Sequence, residues 1–257
     1  MAGRIERVRR FLLVLGLGAL PGLAHAEPVT PVLNAAGESA ADEPVKFSAA
    51  ETLLWMTDQL RSIHRPMRIK YRFRKTGSYE QGFEDSVDFR IREVKADGTK
   101  AAALDFFSGE RRYPVPPAES TTVNPVLGVF FQGDVYEMNR LTDDKHQARE
   151  RWRYFQRRIK LAFAEAARVA PVSIEFQGRK FQGKEILIQP YAADPHRDLF
   201  RQFADKTYRV TVADELPGYV YRIQTVVPGA TPDAPPLIQE TLELVGAEPE
   251  PGPTATH

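Results

Sequence analysis

The chain has 257 residues, with 35 Lys and Arg against 34 Asp and Glu, and no cysteine. So even a balance provides no global field toward nucleic acid or an anionic membrane. The missing Cys excludes disulfides, thiol chemistry, Cys-based metal sites and a lipid-modified cysteine, so an apolar core must supply the stability.

Residues 1–26 read as a signal peptide. Arg4, Arg7, Arg9 and Arg10 form a positive start, 11–24 is apolar, and Ala24-His25-Ala26 has the small-x-small cleavage form. The apolar stretch is shorter than the roughly 20 residues of a membrane span. The expectation is export to a periplasm with cleavage after Ala26. Removing four Arg and Glu6 leaves 31 basic and 33 acidic side chains, a formal charge of −2. Residues 27–46 have no apolar period and read as a flexible lead-in; 248–257, punctuated by proline, read as a disordered tail. The single folded unit is expected over 47–247.

Ser48 and Glu51 form a capping box, and Leu53, Met56, Leu60 and Ile63 follow at helical spacing. This predicts a helix of about four turns ending before Pro66. From Met67 the chain alternates: Met67, Ile69, Tyr71 and Phe73 share one strand face, Arg68, Lys70, Arg72 and Arg74 the other. Val87, Phe89 and Ile91 continue the pattern, and the Asp97-Gly98 turn leads to a third strand near 101–107. Asn124-Pro125 is a helix start. A second apolar stripe, Trp152, Phe155, Ile159, Phe163 and Ala166, predicts a basic helix over 144–169 ended by Pro171. Strands are then expected at 172–176, 184–189, 207–213, 219–227 and 237–245, with a short helix from Asp194-Pro195. Roughly eight strands with short connections and two or three substantial helices predict an α+β fold: one curved antiparallel sheet, an incomplete barrel, with helices on one side.

The common catalytic and nucleotide-binding motifs are missing: no Gly-x-Ser-x-Gly, no Walker loop, no Gly-x-Gly-x-x-Gly, no His-Glu-x-x-His. Asp194, His196 and Asp198 have metal-ligand chemistry, but their spacing fits a capped helix start better. No cofactor and no metal are expected. Four cations on one strand face need acidic neighbours, for which Asp85, Asp88 and Glu93 are the candidates, or else an anionic ligand. Arg68 and Arg72, with Arg153 and Arg157 on the basic helix, are therefore candidates for contact with lipid phosphate or an acidic partner.

The succession of a signal peptide, a capped helix at 48–63, the meander from Met67-Arg-Ile-Lys-Tyr-Arg-Phe and late strands such as Tyr208-Arg-Val-Thr-Val and Pro217-Gly-Tyr-Val-Tyr-Arg-Ile resembles the LolA/LolB-like superfamily of periplasmic lipoprotein carriers. The resemblance implies an incomplete barrel around an apolar cavity, covered by helices, that holds acyl chains without transforming them. On that reading the inward residues Ile69, Tyr71, Phe73, Val87, Phe89 and Ile91, with Tyr219 and Tyr221, are the candidate ligand contacts. Expected partners are a lipid or lipoprotein, or an envelope protein docked on the Arg-rich surfaces, and not nucleic acid. The sequence leaves the oligomeric state open.

Overall fold

The computed structural model describes residues 46–142, 148–231 and 233–250. The expected signal peptide, nearly all of the lead-in, the first residues of the expected helix over 144–169 and the tail from 251 lie outside the described residues. Nine strands form one sheet: β1 (Met67–Thr76), β2 (Phe83–Val94), β3 (Lys100–Phe106), β4 (Ala118–Thr121), β5 (Arg168–Phe176), β6 (Arg179–Ile188), β7 (Thr207–Val212), β8 (Val220–Val227) and β9 (Ile238–Pro249). Their order is β4-β3-β2-β1-β9-β8-β7-β6-β5, every neighbouring pair antiparallel. Two meanders thus run inward from opposite edges and meet where β9 pairs with β1.

The sheet does not close, since β4 and β5 each have one strand neighbour. Register irregularities at Lys70/Tyr71, Ile91/Glu93, Lys100/Ala102 and Thr211/Val212 bend the strands. Helices α2 (Pro125–Leu141) and α3 (Ala148–Leu161) follow β4 and precede β5, so the helical segment links the two edges. Alternation sends Ile69, Tyr71 and Phe73 of β1, Val87, Phe89 and Ile91 of β2 and Leu242 and Leu244 of β9 to one face. There they join Val126, Phe130, Phe131, Phe155 and Phe163 of the helical segment in one core. The architecture is the expected α+β fold with a curved antiparallel sheet and helices on one side.

Several element boundaries differ from the sequence expectation. The capping box at Ser48 and Glu51 is present, but α1 (Ala49–Glu51) runs into a π-helical turn, Thr52–Met56, and stops at extended Thr57. Tertiary bonds compete with the helix there: Gln59 and Leu60 donate their N–H to the Thr122 carbonyl, and Gln59 Nε2 caps Leu54 O at 2.7 Å. The second stripe ends in a π-helical turn at Ala162–Ala166, and Pro171 lies within edge strand β5, one of the few strand positions that tolerate proline. At the other end, β9 continues past 247 to Pro249, paired with Met67, and Lys70 meets Glu248 at 2.6 Å.

Candidate functional site

Helix α2 is anchored by its N-cap, Asn124. Asn124 accepts from Val126 N (3.1 Å) while its Nδ2 donates to Tyr71 Oη (2.9 Å) and Gly218 O (2.8 Å). Its own N–H reaches Gln59 Oε1 at 2.8 Å. Three separate segments therefore fix where α2 starts over the sheet, with all these groups buried. Val129, Phe130, Gly133, Asp134 and Glu137 then occupy one helix face by their spacing.

That face meets an unusual row of the sheet. Lys75 on β1 is opposite Glu240 on β9, Glu240 opposite Thr225 on β8, and Thr225 opposite Tyr208 on β7. All four occupy inward, buried positions. Lys75 Nζ lies 2.5 Å from Glu80 and from Glu137, and 3.5 Å from Glu240. Arg140 joins Glu80 and Glu137 at the rim, at 2.8 and 2.6 Å. Deeper in, Lys206 Nζ donates to Asp134 Oδ1 and lies 3.9 Å from Glu240. Tyr208 Oη donates to Asp134 Oδ2 at 2.7 Å and lies 3.2 Å from Tyr191 Oη.

Burial and pairing set the charges of this network. Burial alone would raise the Glu137 carboxyl, but the hydrogen bond from Arg140 and the charge of Lys75 hold it down to about 2. Burial would lower Lys206, yet Asp134 and Glu240 keep its ammonium above the ordinary lysine value. Glu240 goes the other way: burial, with the nearby Asp134 charge, outweighs its lysines and raises it. Burial also raises the Tyr208 and Tyr191 phenols.

Beside the network a cavity of about 190 Å³ lies between α2 and the β1–β3 end of the sheet. Its walls are Phe73, Phe83, Phe106, Phe107, Val129 and Phe130; Lys75, Asp134, Glu137 and Glu240 form its polar end, and exposed Gly133 marks its open side. Phe106 and Phe107 are consecutive, and an extended strand would turn them to opposite faces. Phe107 instead takes a positive φ of 65°, and the two rings come to 4.6 Å on the same wall. For a bulky residue such a conformation costs of order 1–3 kcal/mol.

Of the candidate ligand contacts, only Phe73 lines this cavity. Ile69, Tyr71, Val87, Phe89 and Ile91 are packed core at no more than 1 % exposure. Tyr219 is buried at the β7–β8 turn, and Tyr221 falls at the β8 irregularity, half-buried, with its hydroxyl 3.4 Å from Glu243. The candidate cations separate as well. Arg68 holds Asp88 through two hydrogen bonds of 2.9 and 2.8 Å. Arg74 pairs with Glu84 at 3.1 Å, while Asp85 accepts from Ser108. Arg72 has no ion pair among the described residues and shares a shallow outer groove with Arg74, Arg222 and Glu243. On α3, Arg153 and Arg157 are exposed and stack on Trp152 and Tyr154.

Among the described residues no group of three or more His, Asp and Glu side chains is placed to hold a metal ion. Asp194 is buried, accepts from Tyr154 Oη (2.7 Å) and His196 N (2.8 Å), and lies 2.6 Å from the Arg158 guanidinium, tying α3 to the following loop. The residues that sequence reasoning missed are Lys75, Asp134, Glu137, Lys206 and Glu240. Their signal is a charge standing where the alternation or the helix face calls for an apolar residue.

No helix among the described residues is long and apolar enough to cross a membrane. No family model matches this chain, and no curated protein matches it. At the level of fold it is similar to the lipoprotein LppX of Mycobacterium tuberculosis, with 8% identity over 77% of this chain and 94% of that one, at a TM-score of 0.30. It is likewise similar to a LolA superfamily protein from Nitrosomonas europaea, with 9% identity over 79% of this chain and 94% of that one, at a TM-score of 0.22.

Proposed function

We propose that this chain is an exported, non-enzymatic protein that binds an apolar or lipidic ligand in the cavity between α2 and the β1–β3 end of the sheet. The observation that carries the reading is a half-open space with five phenylalanine rings on its walls, one of them held there by a strained backbone. Binding without turnover is supported by the lining: its charged groups are engaged with one another, and no hydroxyl, thiol or imidazole stands among the lining residues. Export rests on the leader pattern of 1–26, and a mature chain from the periplasmic fraction beginning at Glu27 is the expected result.

The test is titration with the neutral fluorescent probe 1-N-phenylnaphthylamine, paired with native mass spectrometry after organic extraction. Saturable uptake by the wild type, lost in Gly133→Leu at an unchanged melting temperature, supports the cavity. Absence of uptake by the wild type, or equal uptake by the folded variant, refutes it.

A second reading, an envelope assembly factor that docks a protein partner, is favoured by the exposed cations Arg72, Arg153 and Arg157. Arg68 contributes less to it because Asp88 already neutralises it. Partner capture that survives Gly133→Leu but fails on reversing Arg72 and Arg153 would select this reading.

A further inference from the structure

We infer that the cavity selects an amphiphile whose polar end is a substituted ammonium, an inference that rests on the apolar-ligand reading above. The walls supply the first reason. Phe73 lies 5.2 Å from Phe83, 4.8 Å from Phe107 and 6.5 Å from Phe130, ring centroid to centroid, so the rings pack in contact with one another and together line one small space. Aromatic faces attract cations, and alkylated ammonium groups are the cations such cages hold best. A bare ammonium is more strongly hydrated and gains less from the transfer.

Charge supplies the second reason. The network joins four carboxylates, Glu80, Asp134, Glu137 and Glu240, to three cations, Lys75, Arg140 and Lys206. With Glu240 protonated, as its raised carboxyl favours, the network is balanced; with Glu240 ionised, one negative charge is left over in it. A ligand cation completes the balance, whereas a ligand carboxylate would add a fifth negative charge in a poorly solvated place. Size is the third. At about 190 Å³ the space exceeds the roughly 150 Å³ of an apolar cavity that holds benzene. A trimethylammonium group fits, and the attached chain leaves past Gly133. The raised Glu240 carboxyl provides an additional readout, because a cation beside it favours its ionised form and binding releases a proton.

The test compares octyltrimethylammonium, octanol and octanoate, which share a chain and differ at the polar end, as competitors of 1-N-phenylnaphthylamine at pH 7. The expected order is cation, alcohol, carboxylate, with at least a tenfold gap between first and last. Glu80→Gln, which removes a carboxylate of the network outside the cavity lining, narrows that gap while neutral-probe binding persists, and calorimetry in buffers of different ionisation enthalpy shows proton release with the cation alone. Equal affinities, or octanoate binding tightest, overturn the inference and leave the apolar-ligand reading standing. If neither the probe nor any octyl compound binds, both fall.

Discussion

Replacing Asp134 by Ala removes the nearest partner of a lysine that is 1 % exposed. Lys206 is then left with Glu240 at 3.9 Å, and Tyr208 loses its 2.7 Å hydrogen bond while keeping Tyr191 at 3.2 Å. Breaking a buried pair by deleting one partner costs about 3–5 kcal/mol, because the remaining charge is uncompensated. The lower end applies here. Loss of the Asp134 charge removes one of the influences that raise Glu240, which then ionises more readily and takes over part of the pairing. Asp134→Ala is therefore expected to cost about 3 kcal/mol at pH 7. The double variant Asp134→Leu/Lys206→Met replaces the pair with apolar groups of similar volume and should fall within about 1 kcal/mol of the wild type. Urea unfolding followed by tryptophan fluorescence gives both values from the midpoints, provided the slopes agree. A single-variant loss below about 1 kcal/mol, or a double variant that loses as much as the single one, would refute the reasoning.

Glu137 adds a pH dependence of known sign. Its folded carboxyl sits at about 2, below the ordinary 4.5, so the stability it contributes is present above about 4.5 and disappears as pH falls toward 2. Urea unfolding free energies of wild type and Glu137→Gln should differ by a few kcal/mol at pH 7 and converge in acid; a constant offset would contradict this assignment. Asn124→Ala removes the α2 cap and strands the Tyr71 hydroxyl and Gly218 carbonyl, with an expected loss of about 2–4 kcal/mol by the same method. Gly77→Ala should lose more than about 2 kcal/mol, because φ is +140° and the new Cβ would stand 2.1 Å from the Leu237 carbonyl oxygen. A near-neutral result there would show that the β1–β2 turn relaxes freely.

The strands were legible because period-2 alternation survives translation into structure: Ile69, Tyr71 and Phe73 face inward as their spacing requires. Short β4 was not, since Ala118–Thr121 is partly or fully exposed and carries no apolar pattern. The first helix was over-extended because Leu60 and Ile63 are buried, as a continuous stripe predicts, but reach the core through a turn. For the site, the alternation of β1 carries on past Arg74 to Lys75. Continuing it through Ile69, Tyr71, Phe73 and Lys75, and through Ile238, Glu240 and Leu242, exposes two inward charges that need a buried partner. That Lys75 answers to Glu137 on the helix, and Glu240 to Lys75 and Lys206, could not be read from the sequence. The register of β1 against β9 spans about 165 residues of chain, and only the fold places them opposite.

The pairing of the first long strand with the last has a consequence for the order of events during synthesis. Until residues 238–249 are available, β1 and β8 each keep an unpaired edge, and no strand pairing joins the two meanders. Ring closure over so long a loop is entropically slow and comes late in folding. A chain made from its N-terminus onward therefore stays open and unlatched until residues 238–249 emerge, with the last strand acting as the fastener.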